Sequence, residues 1–361
     1  MMLGTIWNGE MRHIFDEVSL MLTTLWLTMF TGCLLVFFVP SLSFIAEHGK
    51  QRSLSCSPSV SSKTLTDKFV NNLLVPKAYF AHMYVVSLVC CAILLTSFGE
   101  NYALDGVKTA SGSDSGFISI NRHSLSVSPS PSPSLSLSLS LSLSSRETVM
   151  ALFALHSLRR LWESLFTFHY GDAKMHVSGY LVGVLYYVVG PLTLFVESGA
   201  SSPTPTSSQT PSLGQSCVAV ALFASANVLQ HLFHRKLGGA RRQGQPRGRD
   251  QQNEERHQKG GNKQQQKKKQ QQENGEKHYL FPIGPGFDWV YCPHYTAEIL
   301  LYVSLALLLP HSRAVQAMLL FVVTNLAVVA DRNYAWYLQH FPRHTKDPRY
   351  HRRKRLLPFL Y

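Results

Sequence analysis

The feature that most constrains this chain is a set of seven apolar runs: Val18–Val39, Ala78–Phe98, Thr148–Tyr170, Val177–Val196, Cys217–Phe233, Tyr295–Leu309 and Ala314–Ala330. Each approaches the roughly 17–23 residues that a helix needs to cross about 30 Å of hydrocarbon. In a bilayer the backbone must satisfy its own hydrogen bonds, so such runs are expected to fold as helices. The first run has too long an apolar core for a signal peptide, and no small-residue cleavage site follows it before Pro40. It is therefore expected to be retained.

Short cytosolic loops collect lysine and arginine, which gives a prediction of orientation. The loops after runs one, three and five carry Lys50, Arg52, Lys63, Lys68 and Lys77, then Lys174, then a cluster from Arg235 to Lys277; the tail adds Arg343, Lys346, Arg349, Arg352, Arg353, Lys354 and Arg355. The opposite set holds Arg12, then Lys108, Arg122 and Arg146, and finally Arg313. The expected fold is thus an all-α integral membrane protein of about seven transmembrane helices, with a lumenal N-terminus and a cytosolic C-terminus.

This distribution also accounts for the formal charge of +13. The basic residues flank spans and lack interleaved aromatics, so nucleic acid is not an expected partner. The six cysteines show no CxxC spacing, and His231 with His234 lacks a matching third ligand. Neither a disulfide framework nor a metal site is expected.

Three segments break the helical pattern: "SLSVSPSPSPSLSLSLSLSLSS", "SSPTPTSSQTPS" and "RRQGQPRGRDQQNEERHQKGGNKQQQKKKQQQENGEK". They are expected to be disordered loops or linkers. The predicted organisation is spans one and two in 1–96, a low-complexity lumenal loop in 97–147, spans three to five in 148–239, a Gln/Lys-rich cytosolic insert in 240–277, and a C-terminal region with spans six and seven in 278–361.

Polar side chains inside the runs mark the candidate site, because an ionisable residue at bilayer depth costs about 2.5–3.5 kcal/mol on insertion scales. In "LHSLRRLWESLF", His156, Arg160 and Glu163 fall on one helical face, with Arg159 about a quarter turn aside. The bland alternative is an Arg160–Glu163 pair that only joins helices. In "SANVLQHLFHRK", Asn227, Gln230, His231 and His234 recur at helical spacing; His294 and Glu298 open run six after the helix-breaking "FPIGPG".

Four stretches, "VPKAYFAHMY", "LHSLRRLWE", "YLFPIGPGFDWVYCPHYTAE" and "WYLQHF" with the ending "RRKRLLPFLY", together resemble the steroid 5α-reductase family, and more closely its polyprenol (polyprenal) reductase branch. The resemblance implies a multi-pass endoplasmic-reticulum enzyme that uses NADPH to reduce the α-isoprene double bond of a polyprenol or polyprenal, giving dolichol for glycan assembly. It implies a cofactor cavity open to the cytosol, lined by Arg160, Asn227, Gln230, His231, Tyr279, His294 and Glu298, with Tyr337 and the basic tail near its mouth. The lipid substrate and the bilayer are the implied partners, and no obligatory protein partner is inferred. The chain departs from the family pattern at His294, where Asn is usual, at Tyr334, where His is usual, and at Ala78 and Ala81. Ser157 replaces the Tyr of the steroid-reducing branch.

Hydride attack on a carbon–carbon double bond needs a conjugated carbonyl as an electron sink, so polyprenal is the expected species reduced. Catalytic candidates are His156, supported by Glu163, and His82, with Tyr84 a weaker choice for polarising the oxygen. A phosphate-bearing cofactor is expected to supply the counter-charge to Arg160. A steroid 3-oxo-4-ene reductase, and a non-catalytic lipid-binding protein or transporter, are the competing readings.

Overall fold

The computed structural model describes residues 2–39, 73–110, 145–168, 170–171, 173–199, 211–244, 280–350 and 352–358. All seven apolar runs are helical: α1 (Met2–Phe38), α2 (Phe80–Ala110), α3 (Ser145–Trp162), α4 (Val177–Gly199), α5 (Leu213–Gly244), α6 (Pro293–Leu308) and α7 (Arg313–His340). A short α8 (Pro342–Thr345) follows. Five of these helices are long and apolar enough to cross a membrane. The protein is a multi-pass membrane protein.

Helices outlast the apolar runs that start them. The boundaries expected at 96 and 239 fall inside α2 and α5, because helical propagation needs only one further backbone hydrogen bond per residue once a turn exists. Most of each low-complexity stretch lies outside the described residues, while 241–244 of the third continue α5.

One element departs from the all-α expectation. Strands β1 (Leu74–Pro76) and β2 (Lys174–His176) pair antiparallel, Val75 opposite Met175. The pairing continues through Lys77 N–H to the Ala173 carbonyl and Val177 N–H to the Leu73 carbonyl. It ties the chain entering α2 to the turn between α3 and α4, using backbone groups that helices leave free.

Helix α1 packs on α7, α5 on α6, and α2 against both α3 and α4. Trp26 on α1 is buried among these layers and donates its indole N–H to Thr193 Oγ1 on α4 at 3.0 Å. The outward faces stay apolar: Leu155, Leu158 and Trp162 on α3, Leu165 and Phe166 in the turn that follows it, and Val228, Leu229 and Leu232 on α5 are exposed. In water that surface would be an aggregation liability; in lipid it is the expected solvent-facing side.

A second apolar cluster forms where the tail returns. Phe281, Tyr291, Trp336, Tyr337, Tyr350 and Leu356 share one buried core. The tail is held there by a bridge between Val290 and Lys354, with Tyr291 N–H donating to the Lys354 carbonyl and Lys354 N–H to that of Trp289. Arg355 reaches Asp331 on α7 at 2.6 Å.

Candidate active site

Glu163 organises the polar interior. It ends α3, where the helix loosens into a π-helical turn over Glu163–Thr167, and it is fully buried. Such turns recur at functional sites because they redirect side chains without ending the helix. Glu163 Oε1 accepts from Arg159 Nη1 at 2.6 Å and His231 Nδ1 at 2.9 Å; Oε2 accepts from Arg160 Nη1 at 2.8 Å and His234 Nδ1 at 2.7 Å. Four donors use most of what a carboxylate can accept.

Arg159 extends the network toward α5 and α6. Its Nε donates to Asn227 Oδ1 at 2.8 Å, and Nη2 donates to Gln230, whose amide in turn donates to Glu298. Arg159 Nη2 also lies 3.2 Å from His156 Nδ1. A guanidinium cannot accept, so Nδ1 accepts and the His156 proton sits on Nε2, which faces Glu298 Oε1 at 3.5 Å. Two arginines and two glutamates thus balance their charges inside the bundle. Sequence reasoning set Arg159 aside; its four-residue spacing to Glu163 was the signal that would have found it. The counter-charge to Arg160, expected from a cofactor phosphate, comes from Glu163.

Beside this network opens a cavity of about 210 Å³. Arg160, Tyr84 and His234 line it together with Lys77, His294, Tyr295, Asn333, Trp336 and Tyr337. The start of α2, the ends of α3, α5 and α7 and the start of α6 meet here, the same end of the bundle that carries the Lys/Arg-rich loops. Arg160 Nη2 donates to Tyr84 Oη at 2.8 Å, and Asn333 Nδ2 donates to Tyr295 Oη at 3.3 Å.

The cavity's rim is built by the segment preceding α6. Gly284 and Gly286 take φ of 102° and 80°, and a Cβ on Gly286 would stand 2.5 Å from the Phe233 ring. Only glycine accepts both demands at once. Arg353 from the tail is buried against this rim, over the rings of Tyr350 at 4.1 Å and Phe281 at 4.7 Å, and its Nη1 donates to the Pro282 carbonyl at 3.1 Å. Burial pulls the Arg353 guanidinium pKa down, opposed by Tyr291 and Asp288, and burial also raises the Tyr291 phenol above its ordinary value.

Residues 261–361 match the family described as 3-oxo-5-alpha-steroid 4-dehydrogenase. A polyprenal reductase 2 from Oryza sativa subsp. japonica is 30% identical over 331 residues, which span 88% of this chain and 88% of that protein. The chain belongs to the steroid 5α-reductase family. Within this family, the polyprenal reductases of Caenorhabditis elegans and Homo sapiens are each 26% identical to it, over 81% and 80% of this chain and 82% and 78% of theirs. Family membership makes the protein an oxidoreductase and implies a nicotinamide cofactor.

Three residues expected to bind that cofactor, Arg160, His294 and Tyr337, line the cavity. Asn227, Gln230, His231 and Glu298 are instead bonded into its wall by the network. Tyr279 lies outside the described residues. Among the catalytic candidates, His156 and Glu163 also belong to the wall, while His82 is exposed and meets Tyr180 Oη at 3.3 Å. Asn333, Lys77 and Tyr295 were missed by sequence reasoning because an isolated amide, lysine or tyrosine carries no spacing signal. The lining fits a nicotinamide dinucleotide: flat aromatic faces for a ring, Asn333 for an amide, and Lys77 at the basic end for phosphate.

Proposed function

We propose that this protein is an endoplasmic-reticulum enzyme that reduces the α,β double bond of polyprenal with NADPH, giving dolichal on the way to dolichol and its phosphate for protein N-glycosylation. In this reading the N-terminus is lumenal, and the cavity faces the cytosol, where NADPH enters. The observation that carries the reading is one cavity whose lining joins a hydrogen-bonded arginine–tyrosine pair with Asn333, His294 and aromatic rings.

His294, Asn333, Tyr337 and Lys77 would hold the cofactor. Bound there, a dihydronicotinamide supplies the hydride that the β-carbon of the enal accepts. The wall network keeps Arg160 fixed and charged at the place where negative charge develops on the aldehyde oxygen, so little reorganisation accompanies the reaction. The isoprenoid tail needs no polar partner and lies among the apolar helices in lipid.

The family description favours a second reading, steroid 3-oxo-4-ene reduction. Against it stands Ser157, which is fully buried and bonded to Ser87 Oγ at 2.8 Å. The hydroxyl at the position where the steroid-reducing branch carries Tyr is therefore held by a neighbouring helix. Detergent-purified protein is assayed for NADPH oxidation with a short polyprenal, polyprenol and testosterone. Turnover of the polyprenal alone supports the proposal. Turnover of testosterone alone assigns the steroid activity, and direct reduction of polyprenol contradicts the aldehyde mechanism.

A further inference from the structure

The cavity contains an acid that helical spacing does not single out. Tyr84 is buried in α2 and contributes to the cavity lining. Its ring is fixed edge-on against Tyr187, with centroids 5.1 Å apart, and the Arg160 guanidinium lies 5.2 Å from its centroid. A phenol oxygen has one hydrogen and lone pairs to share. Arg160 can only donate, so the 2.8 Å contact from Nη2 occupies a lone pair of Tyr84 Oη and leaves its hydrogen to go elsewhere. Among the described residues no hydrogen bond donated by Tyr84 is present.

Several of the groups nearest Arg160 are already bonded elsewhere. His156 lies in the wall, its Nδ1 facing Arg159 and its Nε2 facing Glu298. His234 Nδ1 lies between Glu163 Oε2 at 2.7 Å and Arg160 Nη1 at 2.9 Å. Ser157 is bonded to Ser87, one helical turn beyond Tyr84 on α2. Arg160 can stabilise an anion but does not release a proton at physiological pH.

We propose that Tyr84 is the acid that protonates the aldehyde oxygen of the substrate, with Arg160 positioning it and stabilising the phenolate left behind; this rests on the polyprenal reading. When the β-carbon accepts a hydride, which a bound dihydronicotinamide would supply, the carbon–carbon π pair forms a new bond between the α-carbon and the carbonyl carbon. The carbonyl π pair moves to oxygen, and Tyr84 transfers its phenolic hydrogen there, giving an enol and a phenolate. The enol then takes a proton from water at the α-carbon and loses one from oxygen to become the saturated aldehyde. Water entering through the mouth reprotonates Tyr84. The net change is addition of one hydride and one proton, with the nicotinamide oxidised.

The test uses the full chain and farnesal, a short α,β-unsaturated aldehyde. Without cofactor, farnesal bound to the unaltered protein is expected to show a red-shifted π→π* absorption, since a hydrogen bond to oxygen stabilises the polarised excited state. Tyr84→Phe is expected to abolish that shift and lower kcat by about 100-fold or more, within the range for loss of a general acid, while NADPH affinity stays within about threefold of the unaltered protein's, as expected for a hydroxyl outside the cofactor site. Absence of the shift in the unaltered protein overturns the role whether or not the variant folds. A variant that retains kcat within about threefold also overturns it. If the unaltered protein fails to reduce farnesal and longer polyprenals, the polyprenal reading itself falls, an outcome distinct from active protein with an indifferent Tyr84→Phe variant.

Discussion

Two arginines, the half-buried Arg160 and the buried Arg353, are neutralised by different means. Arg160, within the helical bundle, meets the Glu163 carboxylate at 2.8 Å. Arg353, in the tail, meets ring faces and the Pro282 carbonyl, and its nearest carboxylate, Asp288, stands 3.6 Å away. The difference follows from where free acceptors exist. Inside a helix each backbone carbonyl is already used by the residue four positions on, so a guanidinium among helices must find a side-chain acceptor. The irregular segment before α6 has carbonyls to spare. A carboxylate is therefore required at one arginine and dispensable at the other.

Removing the carboxylate is the strongest way to break that contrast. Glu163→Gln leaves Arg159 and Arg160 without their principal counter-charge, and losing one partner of a buried pair costs about 3–5 kcal/mol. Thermal unfolding in detergent is expected to show a large fall in midpoint, with loss of turnover; an unchanged midpoint would make the network incidental. Arg353→Leu should cost less, about 1–2 kcal/mol, because an apolar replacement keeps part of the packing and loses the cation–π contacts. The same unfolding assay ranks the two variants, and the reverse order would contradict the comparison.

Smaller still is the expected effect of Arg159→Lys. Charge is kept, but one ammonium cannot reproduce the fork that joins Glu163, Asn227 and Gln230; about 1 kcal/mol is expected, one to two ordinary hydrogen bonds. A double-mutant cycle with Asn227→Ala should show coupling between them. His82→Ala should fall within about 0.5 kcal/mol in stability and leave turnover nearly unchanged, because His82 is exposed and outside the cavity lining. A large loss there would restore it as a catalytic candidate.

The helices were legible from their apolar runs, but only five of them are long and apolar enough to cross a membrane, where seven spans were expected. The stripe from Asn227 to His234 was legible by the same periodicity, and His231 and His234 do converge with Glu163. Periodicity reports which residues share a face but not which helices face each other. Hence Arg159, a quarter turn from the chosen stripe, proved to be the bridge to α5, and His82, on a plausible motif, points away. The pairing of β1 with β2 and the return of the tail to Val290 depend on contacts distant in sequence. Three-residue strands carry too little pattern to be read in advance.

The central claim, conjugate reduction of an enal in this cavity, is tested most directly by tracing the hydride. Purified protein is supplied with NADPH deuterated at nicotinamide C4 on either face, together with farnesal, and the product is read by NMR. Deuterium at the β-carbon of a saturated aldehyde, from one of the two faces, is the predicted result. Deuterium at the aldehyde carbon, with the double bond intact, would show carbonyl reduction and contradict it.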